Sequence, residues 1–159
     1  QNGEQIVLLN GENVNSYLRT EEVGNMASVS SAVPRVREKL LSLQRKLAKD
    51  MSVVMDGRDI GTTILPDADV KIYLTASSLT RARRRYLELQ EKGTVCNLDD
   101  IQKDIEERDQ RDMNREISPL RQAKDAVLVD SSDLTIQQVV DRILQIFRLK
   151  TTGEDSHES

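Results

Sequence analysis

Ser52-Val53-Val54-Met55-Asp56-Gly57-Arg58-Asp59-Ile60-Gly61 joins a short apolar run to a loop of two carboxylates, an arginine and two glycines. Four apolar or small residues in a row, stopped abruptly by charge, read as a strand buried on both faces. Two further runs have the same form: Val70 to Leu74, and Ala126 to Val129 ending in Asp130. Helical patterns separate them, over 78–91, 99–115 and 135–149. Thr135 and Gln138 stand at capping-box spacing at the start of the last one. Short continuous strands alternating with helices predict an α/β fold with a parallel sheet and flanking helices. Ligands of such sheets bind outside the carboxyl ends of the strands, which is where 56–59 falls. A polar turn with a local Arg–Asp pair would read the same way, so this loop alone does not decide for a site.

Upstream, the run Ile6 to Leu9 and the segment Asn13 to Leu18 flank Asn10-Gly11, a strong hairpin signal because both turn residues tolerate positive φ. Thr20 followed by Glu21 and Glu22 predicts a helix start, with acids at the positive end of the dipole. Pro34 suits the first turn of the next helix, where Val36, Leu40, Leu43 and Leu47 predict a buried stripe. Residues 151–159 are polar and unpatterned, and are expected to be disordered.

The 159 residues are 37% hydrophobic and 31% charged, which predicts a soluble globular chain. No apolar stretch approaches the length of a membrane span, and the first residues are not a secretion signal. With Cys96 the only cysteine and His157 the only histidine, disulfides and Cys/His metal clusters are excluded, and a cytoplasmic setting is expected. A metal would have to be a hard cation held by carboxylates and phosphates. The net charge is −4, yet ten of the 23 lysines and arginines fall between Arg81 and Arg121, eight of them arginine. Planar, bidentate guanidinium groups concentrated in an acidic protein point to an anion. Aromatic residues make up 3%, too few to stack the bases of single-stranded nucleic acid.

The helix from Asp99 sharpens this. Its apolar stripe begins with Ile101 and Ile105 and continues, by steps of three and four, to Arg108, Asp112 and Arg115. Charges on an inward stripe are seldom tolerated unless paired or liganded, which favours a site over surface salt bridges. Arg81, Arg84 and Arg85 cluster on another helix, where a solvated basic face is the commoner meaning.

Asp56-Gly57-Arg58-Asp59-Ile60-Gly61-Thr62, Pro66-Asp67-Ala68, Lys71-Ile72-Tyr73-Leu74, Arg81-Ala82 and Arg84-Arg85 resemble, in order, the pattern of the cytidylate kinases. So do Arg108-Asp109, Arg111-Asp112, Asn114-Arg115, Pro119-Leu120 and Asp125-Ala126. The resemblance runs from the first hairpin to Leu149. It implies a P-loop NTPase-like fold of the adenylate-kinase kind, and transfer of the ATP γ-phosphoryl group to CMP or dCMP with Mg²⁺. By the same resemblance Ser28, Arg37 and Asp59 read cytosine, and Asp112 binds the ribose hydroxyls. Arg58, Arg108 and Arg115 hold the acceptor phosphate and the transferring group. Arg81, Arg84 and Arg85 belong to the ATP side, and Asp56 makes a water-mediated Mg²⁺ contact. A carboxylate at Asp59 accepts from the cytosine amine and rejects the uracil carbonyl. Phosphoryl transfer asks for alignment and positive charge rather than a nucleophile, in keeping with this set.

The family also carries a G-x-x-x-x-G-K-[ST] phosphate loop, and none of the seven glycines begins one. The expectation is a chain lacking the first strand and that loop. Residues 1–20 are then the end of the acceptor-binding insertion, 21–150 the kinase core with a short lid around 81–115, and 151–159 the tail. Strands such as Val53 to Met55 would then lack a neighbour, and this chain alone is expected to be neither a stable domain nor active. The partners implied are CMP or dCMP and ATP, with no nucleic acid or membrane, acting on a monomer. A kinase specific for UMP or AMP, a nucleic-acid-binding module using the arginine-rich segment, and an interaction domain without catalysis are the alternatives.

Overall fold

A computed structural model describes residues 6–18, 20–31 and 33–152, without the side chains of Glu21 and Ser28. Two positive φ angles, 53° at Asn10 and 88° at Gly11, close the hairpin of β1 (Leu8–Leu9) and β2 (Glu12–Asn13). Positive φ at both turn positions matches the right-handed twist of the flanking strands, so the two pair antiparallel with Leu9 opposite Glu12. The second strand is shorter than the sequence predicts. The Asn13 side chain accepts from the Asn15 amide, and Tyr17 and Leu18 donate to Val14, turning the chain away at once.

Thr20 begins α1 (Glu21–Ser31), its hydroxyl accepting from Val23, and Pro34 occupies the first turn of α2 (Pro34–Asp50). The stripe on α2 departs from expectation: Val36, Leu40, Leu43 and Leu47 are all exposed, and none of the helix's residues is buried. Helical spacing creates an apolar face, but burial needs an opposing apolar surface. The hairpin and α1, which packs against α2, do not bury it.

The chain divides into two compact units, Gln1–Val53 and Val54–Ser159. Among the described residues the five buried apolar ones (Ile64, Ala76, Ala82, Val129 and Ile146) all belong to the second. There β3 (Ile72–Thr75) and β4 (Val127–Asp130) pair in parallel, from Ile72 opposite Val127 to Thr75 opposite Asp130. Between them run α3 (Ser78–Glu91) and α4 (Leu98–Asn114), packed on each other, and α5 (Ile136–Thr152) follows. The Ser77 side chain caps α3, and the Asn97 side chain accepts from the amides of Asp99 and Asp100 in the first turn of α4. Ala82, wholly buried, presents only a methyl group on α3 and so permits close approach. The capping box of α5 forms reciprocally: Thr135 N donates to Gln138 and Gln138 N to the Thr135 hydroxyl. That helix continues through Thr152, past the point where the tail was expected to begin; His157 and the rest of the tail lie outside the described residues.

Residues 52–56 carry no regular secondary structure and do not form a strand, against expectation. A strand exists only as part of a ladder, and the described residues provide this run with no partner; Val54 is fully exposed. The loop beyond it closes in a single π-helical turn, Ile60–Ile64. The Asp59 carbonyl accepts from Thr63 and Ile64, and buried Ile64 anchors the turn. No described helix is long and apolar enough to cross a membrane.

Candidate functional site

At the end of α4 the stripe that began as Ile101 and Ile105 delivers Asp112, only 4% exposed, among three guanidinium groups. Arg58, from the loop after 52–56, pairs through Nε with Asp112 Oδ2. Arg108 Nε stands 4.0 Å from the same oxygen, one turn back on α4. Arg115 Nη1 lies 3.9 Å from Oδ1, while its Nε donates to the Ser118 carbonyl at 2.7 Å. The chain doubles back after α4, with Leu120 N donating to the Asp112 carbonyl, so backbone as well as side chain is pinned at this residue.

Three guanidinium groups around one carboxylate leave two positive charges uncompensated. At Arg108 partial burial, and after it the nearby Arg58 and Arg111 cations, push the pKa below the ordinary arginine value, against the pull of Asp112 and Asp109. Arg58 and Arg108 remain 39% and 47% exposed at the side chain, so the excess charge faces solvent. A doubly charged anion would satisfy all three arginines. Such a cluster can bind, orient and stabilise a phosphoryl group, and it contains no nucleophile.

Asp59 is buried beside this loop, ahead of the π-helical turn, and its side chain does not cap that turn. Asp56 is exposed. Of the other residues expected to read the base, Arg37 lies on α2 with Nη1 directed at the Ser31 carbonyl. Ser28 lies on α1, its side chain outside the described residues. Both belong to the first unit.

The arginines of α3 are differently employed. Arg81 forms a two-pronged pair with Asp109 of α4, Nη1 to Oδ1 at 3.0 Å and Nη2 to Oδ2 at 2.5 Å. Its Nε donates to the Ala76 carbonyl at 3.0 Å. That hydrogen-bonded carboxylate raises the Arg81 pKa. Arg84 donates to both the hydroxyl and the carbonyl of buried Ser131, at 3.2 and 2.5 Å. Arg85 pairs with Glu88 at 2.9 Å, and Lys92 reaches the other oxygen of Glu88 at 2.7 Å.

Sequence reasoning missed Asp109, Ser131 and Lys71 as organising residues. Lys71, whose side chain is 7% exposed, donates to the Pro66 carbonyl and pairs with Asp125 at 2.7 Å, holding the loop after the π-helical turn against β3. Lys71 and Asp109 stood in the family pattern, but their partners Asp125 and Arg81, like Arg84 for Ser131, lie far along the chain, so no spacing argument pairs them. Among the described residues no group of three carboxylates or other ligand side chains is placed to hold a metal. A lone carboxylate such as Asp56 fits the way Mg²⁺ is shared with phosphate and water.

The profile of the family described as Cytidylate kinase matches residues 1–149. A cytidylate kinase of Lactobacillus gasseri is 51% identical over 150 residues, covering 94% of this chain and 65% of the relative. Those of Caldicellulosiruptor saccharolyticus and Yersinia enterocolitica are 49% and 51% identical, over 91% of this chain and 64% and 63% of their own lengths. The chain thus spans a little under two thirds of these curated relatives. With an arginine cage around Asp112 and a family match that includes every residue forming it, the chain belongs to the cytidylate kinase family.

Proposed function

We propose that the protein to which this chain belongs transfers the γ-phosphoryl group of ATP to CMP or dCMP, giving CDP or dCDP and ADP. The observation that carries the reading is the cluster of Arg58, Arg108 and Arg115 around buried Asp112, with its two excess positive charges. The similarity to cytidylate kinases supports the same activity. In this reading the three arginines take the acceptor phosphate and the transferring group. Loss of charge repulsion on binding favours an anion there, and charge spread over the equatorial oxygens favours the transition state further. Asp112 accepts from the sugar hydroxyls. Asp59, with Arg37 and Ser28, reads cytosine.

ATP arrives with Mg²⁺, which neutralises phosphate charge and orients the transfer; Asp56 is the carboxylate proposed to contact its water shell. Arg84 and Arg85 belong to the ATP side, within a short lid around 81–115, and residues 1–20 are the end of the acceptor-binding insertion. The enzyme is read as a cytoplasmic monomer that needs neither nucleic acid nor membrane.

A coupled assay of the full-length protein with CMP, dCMP, UMP and AMP, each with MgATP, tests this. Turnover of CMP or dCMP at least tenfold more efficient than of UMP and AMP is expected, because a buried hydrogen-bonding group left unpaired costs about 1–3 kcal/mol. Preference for UMP or AMP, or no turnover of any, would overturn it.

A further inference from the structure

The end of α4 is held from two sides, and only one of them is the Arg58 loop. On the other side stands Arg81, whose guanidinium spends three of its five N–H donors on protein acceptors: both prongs on Asp109 of α4 and Nε on the Ala76 carbonyl just beyond β3. Around it the same helix pair is laced further. The Ser78 hydroxyl donates to Glu106 at 2.7 Å, and Gln102 donates to Glu106 at 2.9 Å and to Ser78 at 3.3 Å. One turn along α3, Arg84 grips Ser131 beyond β4, and the Ser131 hydroxyl donates to the Thr75 carbonyl at 3.0 Å. A continuous path therefore runs from the carboxyl ends of β3 and β4, through two arginines of α3, to one carboxylate of α4. That carboxylate, Asp109, follows Arg108 directly and precedes Asp112 by one turn.

We infer that Arg81 and Asp109 are a pair of positioning residues, fixing the rotation and axial setting of α4 on the sheet ends so that Arg108, Asp112 and Arg115 face Arg58. The inference rests on the proposed reading of those four residues as the acceptor site. It gives Arg81 a different task from the ATP-side contact that family resemblance implies. A guanidinium that binds ATP must turn donors toward the phosphates; this one is committed to a bidentate pair and a backbone carbonyl. Alignment matters here because misplacement of a reacting group by about 1 Å costs on the order of a hundredfold in rate.

The test is steady-state kinetics of the full-length enzyme carrying Arg81→Lys, Arg81→Ala, Asp109→Asn, Asp109→Ala or Arg81→Ala with Asp109→Ala, varying ATP and the acceptor separately. The expected result is one shared profile. The kcat/KM for the acceptor falls by roughly five- to thirtyfold in each alanine variant, the KM for ATP moves less than about twofold, and the double variant is no worse than either single one. A tenfold rise in the ATP KM confined to the Arg81 variants, or losses that multiply in the double variant, overturns the pair. Should the alanine variants fold poorly, amide exchange of Arg81→Lys and Asp109→Asn decides: faster exchange along 98–114 supports positioning, and unchanged exchange with weakened ATP binding refutes it. If the wild type prefers another acceptor, the proposed function fails, and the same variants assayed with that acceptor still decide the role of Arg81 and Asp109.

Discussion

Arg58 and Asp112, 54 positions apart, form the ion pair that joins the 56–59 loop to the end of α4. The carboxylate is 6% exposed at the side chain and the guanidinium 39%, so one partner is desolvated and the other reaches water. Buried carboxylates persist only when paired, and here the pairing also separates three cations that would otherwise repel. The site is thus built partly by its own counterion, before any ligand arrives.

Asp112→Asn keeps the shape of the side chain and removes that charge. The expected cost is about 1–2 kcal/mol of unfolding free energy, less than for a fully buried pair because Arg58 is more than a third exposed. Urea unfolding at neutral pH measures it. Added inorganic phosphate is expected to restore the variant more than it stabilises the wild type, since the anion substitutes for the lost carboxylate. An unchanged midpoint, or equal response to phosphate, would remove Asp112 from the role of counterion.

Asp59 is expected to set acceptor choice and not the rate of phosphoryl transfer as such. It is buried, on a loop held by the π-helical turn whose amides its own carbonyl receives. Under the proposed function, Asp59→Asn adds an amide donor where the cytosine amine must donate. The ratio of kcat/KM for CMP over UMP is expected to fall by roughly ten- to a hundredfold. A ratio that does not move would take Asp59 out of base reading.

Two glycines of this loop are expected to differ although they are only four residues apart. A Cβ on Gly57 would stand 2.9 Å from Ile60 Cγ1 and 3.1 Å from Cδ1, so the first residue of the π-helical turn would have to shift. A Cβ on Gly61 would meet Lys71 Cδ at 3.4 Å, ordinary contact. Gly57→Ala is therefore expected to cost about 1–3 kcal/mol, in the range of overpacking, and to weaken acceptor binding through Arg58 and Asp59. Gly61→Ala should lie within about 0.5 kcal/mol of the wild type. Thermal unfolding of both variants, side by side, checks the contrast; equal effects would refute it.

How much of this was legible in the sequence depended on the range of the interactions involved. The Asn10-Gly11 turn, the Thr135–Gln138 box and the extent of α3 were readable because neighbours within a few residues determine them. The periodicity of Ile101, Ile105, Arg108, Asp112 and Arg115 also put Asp112 on an inward stripe, and Asp112 is buried, although Arg108 on the same stripe is exposed. The strand foreseen at Val53 to Met55 and the buried stripe on α2 were not borne out, because a ladder partner and an opposing apolar face are supplied from elsewhere. The partners of Arg81 and Arg84 lie 28 and 47 positions away, beyond any spacing argument, so a basic face was visible but not what it grips.

Glu88 offers a test in acid. Hydrogen bonds from Lys92 and Arg85 hold its carboxyl at a pKa of about 2, below the ordinary 4.5. A carboxylate depressed on folding contributes stability that is complete above its unfolded value and is lost as pH falls toward the folded one. The contribution should therefore fade between about pH 4.5 and pH 2, and it should be small because Glu88 and its partners are at the surface. Glu88→Gln is expected to flatten the pH dependence of the thermal midpoint in that window, and about 1 M salt to do the same in the wild type. Equal slopes in variant and wild type at low salt would show that the pairs carry no stability.

The exposed apolar surface of the second unit leads to a last expectation. Side chains alternate along a strand, and Leu74 lies opposite Val129 while Tyr73 lies opposite Leu128, so Leu74 and Leu128 point to different faces of the two-stranded sheet. Both are 54% exposed, and Val54 is fully exposed in the unpaired run before the arginine loop. A parallel sheet is stable when both its faces are covered, and unpaired backbone beside exposed aliphatic side chains is a template for association. The 159-residue chain is accordingly expected to bind a hydrophobic dye and to self-associate as its concentration rises, with Val54→Lys reducing the association. Sedimentation velocity across a concentration series measures this. A monodisperse, dye-silent monomer would mean that these aliphatic surfaces are covered within the chain itself.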